Sequence, residues 1–155
     1  MVLIVVLFPA LALGGEVTMD DLVERDGLHY KKFTDVPFTG KTTGKWQGSF
    51  RNGKKHGPWV EFHDNGQLHW EKTFKDGGMD GPWVRYWENG QLRWKGTFKD
   101  GMEVGPWVMY YDNGQLMSEG TFKNGKNDGP WVFYNRDGTV NEDWTGTFKD
   151  GEKVD

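Results

Sequence analysis

Gly-Pro-Trp occurs at 57–59, 81–83, 105–107 and 129–131, always 24 residues apart. Asn-Gly recurs in step at 65–66, 89–90 and 113–114, and becomes Asp137-Gly138 in the fourth copy. Gln-Leu follows each Asn-Gly at 67–68, 91–92 and 115–116. Thr-Phe-Lys recurs at 73–75, 97–99 and 121–123, and returns at 147–149 after two inserted residues. A fixed period of this length means a repeat architecture, in which each unit buries its apolar face only against its neighbours. Two strands per unit are expected. Trp107-Val108-Met109-Tyr110-Tyr111 is aromatic and β-branched, Asp112-Asn113-Gly114 is a turn, and Leu116 to Phe122 is the return strand.

Composition supports strands and opposes helices. Alanine occurs only at Ala10 and Ala12, and leucine only five times after Leu13, so the best helix formers are nearly absent. Helical bundles and coiled coils are excluded on that ground. Aromatic residues make up 15% of the chain, with 9 Trp, so the core has to be built from rings. The expected fold is all-β: an elongated, single-layer array of stacked antiparallel β-hairpins. A three-residue Asp-Asn-Gly loop pairs Tyr111 with Gln115. Uniform alternation from that loop puts the even positions on the core face: Val84, Tyr86, Leu92, Trp94, Gly96 and Phe98, with their equivalents Val108, Tyr110, Leu116, Ser118, Gly120 and Phe122. A strand glycine such as Gly96 or Gly120 leaves room for a ring.

Residues 1–13 are an uninterrupted apolar run, too short to span a bilayer as a helix. They read as the apolar centre of a signal peptide covering 1–15, with Ala10-Leu11-Ala12 as a small-x-small cleavage pattern, although no Lys or Arg precedes the run. The expected destination is secreted or periplasmic; a true start beyond the run would make the protein cytoplasmic, and an uncleaved run is the only expected membrane contact. Residues 16–43 form an N-terminal capping segment and 44–155 the repeats with a C-terminal cap.

The pattern Gly-x-Phe-Lys-x-Gly-x-x-x-Gly-Pro-Trp-x-x-Tyr-x-x-Asn-Gly-x-Leu resembles the MORN repeat in its bacterial variant, and looks most like the YwqK-type antitoxin family. Gly120-Thr121-Phe122-Lys123-Asn124-Gly125 with Gly129-Pro130-Trp131 carries the match. The resemblance implies a ribbon of stacked hairpins used in protein interaction, and for some members neutralisation of a partner toxin.

The absence of Cys excludes disulfides, thiolate zinc sites and Cys nucleophiles. With a net charge of -4 and no basic stripe, nucleic acid is not an expected partner. No phosphate loop, nucleophile setting or singled-out acid pair is present, so no enzyme, catalytic residue or cofactor is expected. Glu61, His63 and His69 come together around one turn, but the cluster is not repeated and no metal is expected there.

Binding is assigned to positions that vary on the fixed frame. These are Glu61, Arg85, Met109 and Phe133; His63, Trp87, Tyr111 and Asn135; and His69, Arg93 and Met117. The expected partner-binding patch is Arg85, Trp87, Arg93, Met109, Tyr111 and Met117 on the odd face, with Trp87 and Tyr111 dispensable for folding. Aromatics, Arg and Met are the residue types enriched in protein interfaces. The expected partner is another protein, with a toxin as the alternative identity that the resemblance implies. Rings at 70 and 94, or 87 and 111, would alternatively stack on an envelope glycan. The Gly-Pro-Trp rings are expected to be scaffold, folded over the inter-repeat loops.

Overall fold

The computed structural model describes residues 16–155; the signal peptide reading lies outside them. After a short 3-10 turn at Met19–Asp21 come β1 (Leu22–Arg25), β2 (Leu28–Lys31), β3 (Gly40–Thr42), β4 (Trp46–Arg51), β5 (Lys54–Phe62), β6 (Leu68–Lys75) and β7 (Gly78–Tyr86). Then follow β8 (Leu92–Lys99), β9 (Met102–Tyr110), β10 (Leu116–Lys123), β11 (Lys126–Asn127), β12 (Gly129–Phe133), β13 (Gly146–Lys149) and β14 (Glu152–Lys153). β1 and β2 pair with each other; all later strands join one antiparallel, 12-stranded sheet in chain order, except that β11 and β12 both pair with β10. The chain is an all-β array of hairpins, as its period predicts.

Two kinds of turn alternate along the two sides of the sheet. On one side, Asp76-Gly77, Asp100-Gly101 and Asn124-Gly125 connect successive hairpins with both residues at positive φ, near 50° for the Asx and 76–93° for the glycine. That is the type I′ geometry whose twist matches the strands. The amide of Gly101 also donates to the Met79 carbonyl, at 2.9 Å, and so ties each turn to the previous one. On the other side lie the three-residue loops. Tyr111 N–H donates to Gln115 O at 2.9 Å, the pairing expected from the sequence. Asn113 closes its own loop by accepting the Gln115 N–H, at 3.1 Å. Asn65 and Asn89 do the same, and each also donates its amide to the next loop, to Glu88 O and Asp112 O, at 2.8 and 2.7 Å. The last copy has Asp137, which keeps the local bond to Thr139 N–H. A carboxylate accepts but cannot donate, so this loop keeps the local bond alone.

The faces differ from the expected all-even and all-odd division. Leu116 pairs with Tyr110, but Ser118 pairs with Met109, so Met117 is an extra residue in β10. The same β-bulge falls at His69 in β6 and Arg93 in β8. One extra residue reverses the phase of everything beyond it. Trp83 and Arg85 therefore share a face with Trp94, Gly96 and Phe98, while Val84 and Tyr86 share the other with Leu92 and Lys95. Val84, Tyr86 and Leu92, expected beside Trp94, Gly96 and Phe98, stand on the opposite side of the sheet.

The tryptophan face carries the core. Trp59, Trp83, Trp107 and Trp131 retain 1, 9, 3 and 2% exposure, and Phe50 and Phe98 are buried with them. Each ring other than Trp83 lies over a glycine of the preceding hairpin: a Cβ added to Gly48, Gly96 or Gly120 would come within 2.1–2.2 Å of Trp59, Trp107 or Trp131. Phe50, Phe98 and Phe122 meet these rings edge-on, with centroids 5.0–5.4 Å apart. The Gly-Pro-Trp rings are thus scaffold, as expected. Burying 150–250 Å² per ring is worth on the order of 4–6 kcal/mol of transfer free energy each.

The rings fall into two clusters. Leu22, Phe38, Phe50 and Trp59 form one, and Trp83, Phe98, Trp107 and Trp131 the other. The division falls where the repeat has Lys72 in place of the seat glycine. Lys72 pairs with Trp83, and its ammonium sits 3.9 Å from the Trp70 ring centre.

Candidate functional site

The bulges place three side chains of each hairpin together at the Asn-Gly end of the tryptophan face. One comes from the first strand, one precedes the loop, and the third is the bulged residue, re-aimed by the extra turn of the chain. These are the positions that vary between repeats.

In the first hairpin they are Glu61, His63 and His69. His69 Nδ1 is 3.5 Å from Glu61 Oε1, and the two imidazole rings pack at 4.2 Å. His63 Nε2 is 3.3 Å from the Tyr86 carbonyl of the next hairpin. No group of three or more metal-ligating side chains is arranged to hold an ion among the described residues.

In the second hairpin they are Arg85, Trp87 and Arg93. The Arg93 guanidinium lies 3.9 Å from the Trp87 ring centre and 5.0 Å from that of Trp94, and Arg85 lies 5.6 Å from Trp94. Trp87 Nε1–H donates to the Tyr110 carbonyl at 3.1 Å. In the third, Tyr111 donates its hydroxyl to the Tyr134 carbonyl at 2.8 Å, with Arg136 over its ring at 5.3 Å. Met117 occupies the bulge, and Met109 pairs with Trp94 and packs against the ring cluster. In the fourth, Asn141 donates to Asn135 at 3.0 Å, and Phe133 stacks on Trp131 at 5.8 Å.

The loop-flanking ring in each of the first three hairpins thus reaches the backbone of the next repeat. His63, Trp87 and Tyr111 are rungs between hairpins as well as surface, which corrects the expectation that Trp87 and Tyr111 could be removed at no cost to folding. Of the six residues assigned to binding, Arg85, Trp87 and Arg93 come together directly. Met109 stands one strand further on, across Trp94, and Tyr111 with Met117 forms the next station along the sheet. Trp94 joins them as floor, and sequence reasoning placed it in the core. Only the bulge brings it beside Arg85.

Two adjoining hollows of about 440 and 550 Å³ run along the first two of these stations and share His63, His69 and Glu88. Lys45, Glu61 and Asp64 line the first; Arg85, Trp87, Arg93 and Asp112 line the second. Asp64, Glu88 and Asp112 were not singled out from the sequence, because an Asp or Glu directly before Asn-Gly reads as a turn residue.

Burial depresses the His69 pKa below its ordinary 6.5, against an upward pull from Glu61. The folded state therefore binds this proton less readily than the unfolded chain does. Stability from this group is complete above 6.5 and declines as pH falls from there toward the folded value. Urea unfolding between pH 7.5 and 5 should show that decline, and His69→Gln should flatten it. An unchanged slope in His69→Gln would assign the effect to other groups.

The hairpins coincide with units of known type. A family model of the MORN repeat variant matches residues 55–76, 79–100 and 103–124, each one hairpin ending on the Asx of its connecting turn. No curated protein matches the chain.

Proposed function

We propose that this chain is a non-catalytic repeat scaffold that binds another protein along the Asn-Gly end of its tryptophan face. One observation carries the reading. The variable positions of the first two hairpins, Glu61, His63, His69, Arg85, Trp87 and Arg93, line two adjoining hollows, while the residues that build the frame recur. A frame that repeats while these positions change from His and Glu to Arg and Trp, and in the third hairpin to Met and Tyr, offers different chemistry at each step of the array. MORN-type repeats serve generally as interaction scaffolds, which agrees with this use. The apolar run at 1–13 supports export as the setting in which the partner is met. A toxin partner, as in the antitoxin family named above, is one identity the partner can have.

Site-specific photo-crosslinking in the native host tests this. A benzophenone side chain at Met117 should trap a discrete partner. The same group at Lys95, which is exposed on the opposite face, should not. Trapping from Lys95 and not Met117 would put the interface on the valine face and overturn the assignment.

A further inference from the structure

Arg85 and Arg93 are cations without counterions. Among the described residues neither has a carboxylate within ion-pair distance, and three of the four nearby acids are engaged elsewhere. Asp64 pairs with Lys45, Asp112 with Arg136, and Glu61 faces His69. Glu88 is exposed at the rim and pairs with nothing among the described residues. The Nε atoms of both arginines are buried with no hydrogen-bond partner. Unpaired, partly desolvated donors on two neighbouring cations are costly, and a like charge alongside adds to the cost. Arg93 responds in the expected direction: burial first, and Arg85 second, lower its pKa. The indoles of Trp87 and Trp94 lie against the guanidinium groups, with ring centres 3.9–5.6 Å from Cζ. A guanidinium beside an indole gains cation–π attraction and keeps its in-plane N–H donors for an acceptor. A carboxylate matches a fork with two parallel hydrogen bonds. Polyanions fit poorly, since Asp64, Glu88 and Asp112 surround the groove and the chain carries a net charge of -4.

We infer that Arg85 and Arg93 form a carboxylate clamp that takes an Asp or Glu side chain from an extended segment of the protein partner, with an apolar neighbour of that side chain resting against Trp87. This rests on the scaffold reading and gives its groove a recognition chemistry.

The probe is an acetylated, amidated tripeptide, Leu-Glu-Leu, with Leu-Gln-Leu and inorganic phosphate as comparisons. They are titrated into the ¹⁵N-labelled full chain while the arginine Nε–H resonances are followed. Saturable shifts at Arg85 and Arg93 with the Glu peptide are expected, with affinity at least tenfold weaker for the Gln peptide. Arg93→Gln and Arg93→Lys should each lose at least tenfold, the second because an ammonium keeps the charge but not the fork. Amide spectra report whether each variant is folded, and Arg85→Gln replaces any Arg93 variant that is not. Equal response to the Glu and Gln peptides overturns the clamp, as does binding retained in a folded Arg93→Gln. So does a larger response to phosphate than to the Glu peptide. The two readings fail separately. Crosslinks from Met117 that survive Arg93→Gln, with no peptide binding, remove the clamp and leave the scaffold.

Discussion

Gly96→Ala and Gly120→Ala should each lower the unfolding free energy by about 3 kcal/mol, the upper part of the range for overpacked cores. Glycine to alanine inside a strand ordinarily gains about 0.5–1 kcal/mol, since it removes backbone freedom from the unfolded chain. Neither position has positive φ, so the backbone itself accepts alanine. Only the seat of the ring opposes it. The new methyl carbon would lie 2.1 Å from the nearest atoms of Trp107 or Trp131, both nearly fully buried. The ring has to lift, and the edge contacts with Phe98 or Phe122 lift with it. Urea unfolding gives the magnitude, and near-ultraviolet dichroism the loss of fixed indole packing. A neutral or stabilising Gly96→Ala would mean that the seat does not require glycine. Position 72 supplies the converse. Lys72 occupies the equivalent seat, and Trp83 keeps 9% exposure against 1–3% for the other three. Trp59 and Trp131 donate their indole N–H to Ser49 O and Thr121 O at 3.1 and 3.0 Å. Trp83 makes no such bond among the described residues, and neither does Trp107 on its glycine seat, so the exposure of Trp83 and not this bond marks the altered seat. Lys72→Gly should let Trp83 settle and gain about 1 kcal/mol, after the strand-glycine cost and the lost cation–π contact are subtracted.

That seat was half legible. A glycine at the same place in Trp46-Gln47-Gly48, Trp94-Lys95-Gly96 and Ser118-Glu119-Gly120 says that a ring needs the space. It does not say which ring. The turn chemistry was legible, because Asx-Gly pairs and acid-Asn-Gly triplets admit few conformations. The faces were not. Counting by twos from a correct loop fails once a bulge intervenes, and bulges at His69, Arg93 and Met117 have no common residue type to announce them. One signal was available: the recurrent Trp is odd-numbered on the first strand, and the recurrent Phe and Gly are even-numbered on the second. Both sets can face one core only if an odd number of residues is inserted between them.

The site was legible as a list and not as a geometry. Variation on a fixed frame picked out Arg85, Trp87 and Arg93, which the structure packs together. It could not show that the variable residue after each Leu is the bulged one, turned back onto the residue before the loop. Nor could it show that a side chain is variable in type and still structural. His63, Trp87 and Tyr111 differ chemically, yet each places a polar ring atom 2.8–3.3 Å from the carbonyl 23 residues further on. Any ring with a polar atom at its far edge can make that link, so the sequence varies while the connection persists.

Replacing Trp87 and Tyr111 together with Ser should therefore cost about 4 kcal/mol. Each change removes one hydrogen bond worth about 1 kcal/mol net, and strips roughly half the burial of a large ring. The loss should be cooperative and local in origin. In a stacked array each hairpin is held by its neighbours, so cutting two successive rungs loosens the connections from β7 through β12 together. Hydrogen exchange should show the amides of Gln91, Gln115 and the strands between them losing protection before those of β4 and β5, which belong to the other ring cluster. Trp87→Phe and Tyr111→Phe separate the two contributions, since they keep the rings and delete only the bonds, at about 1 kcal/mol each. If the double Ser variant melts with the parent, these rings are surface alone, and the hairpins are held by the tryptophan seats and the Asn straps without them.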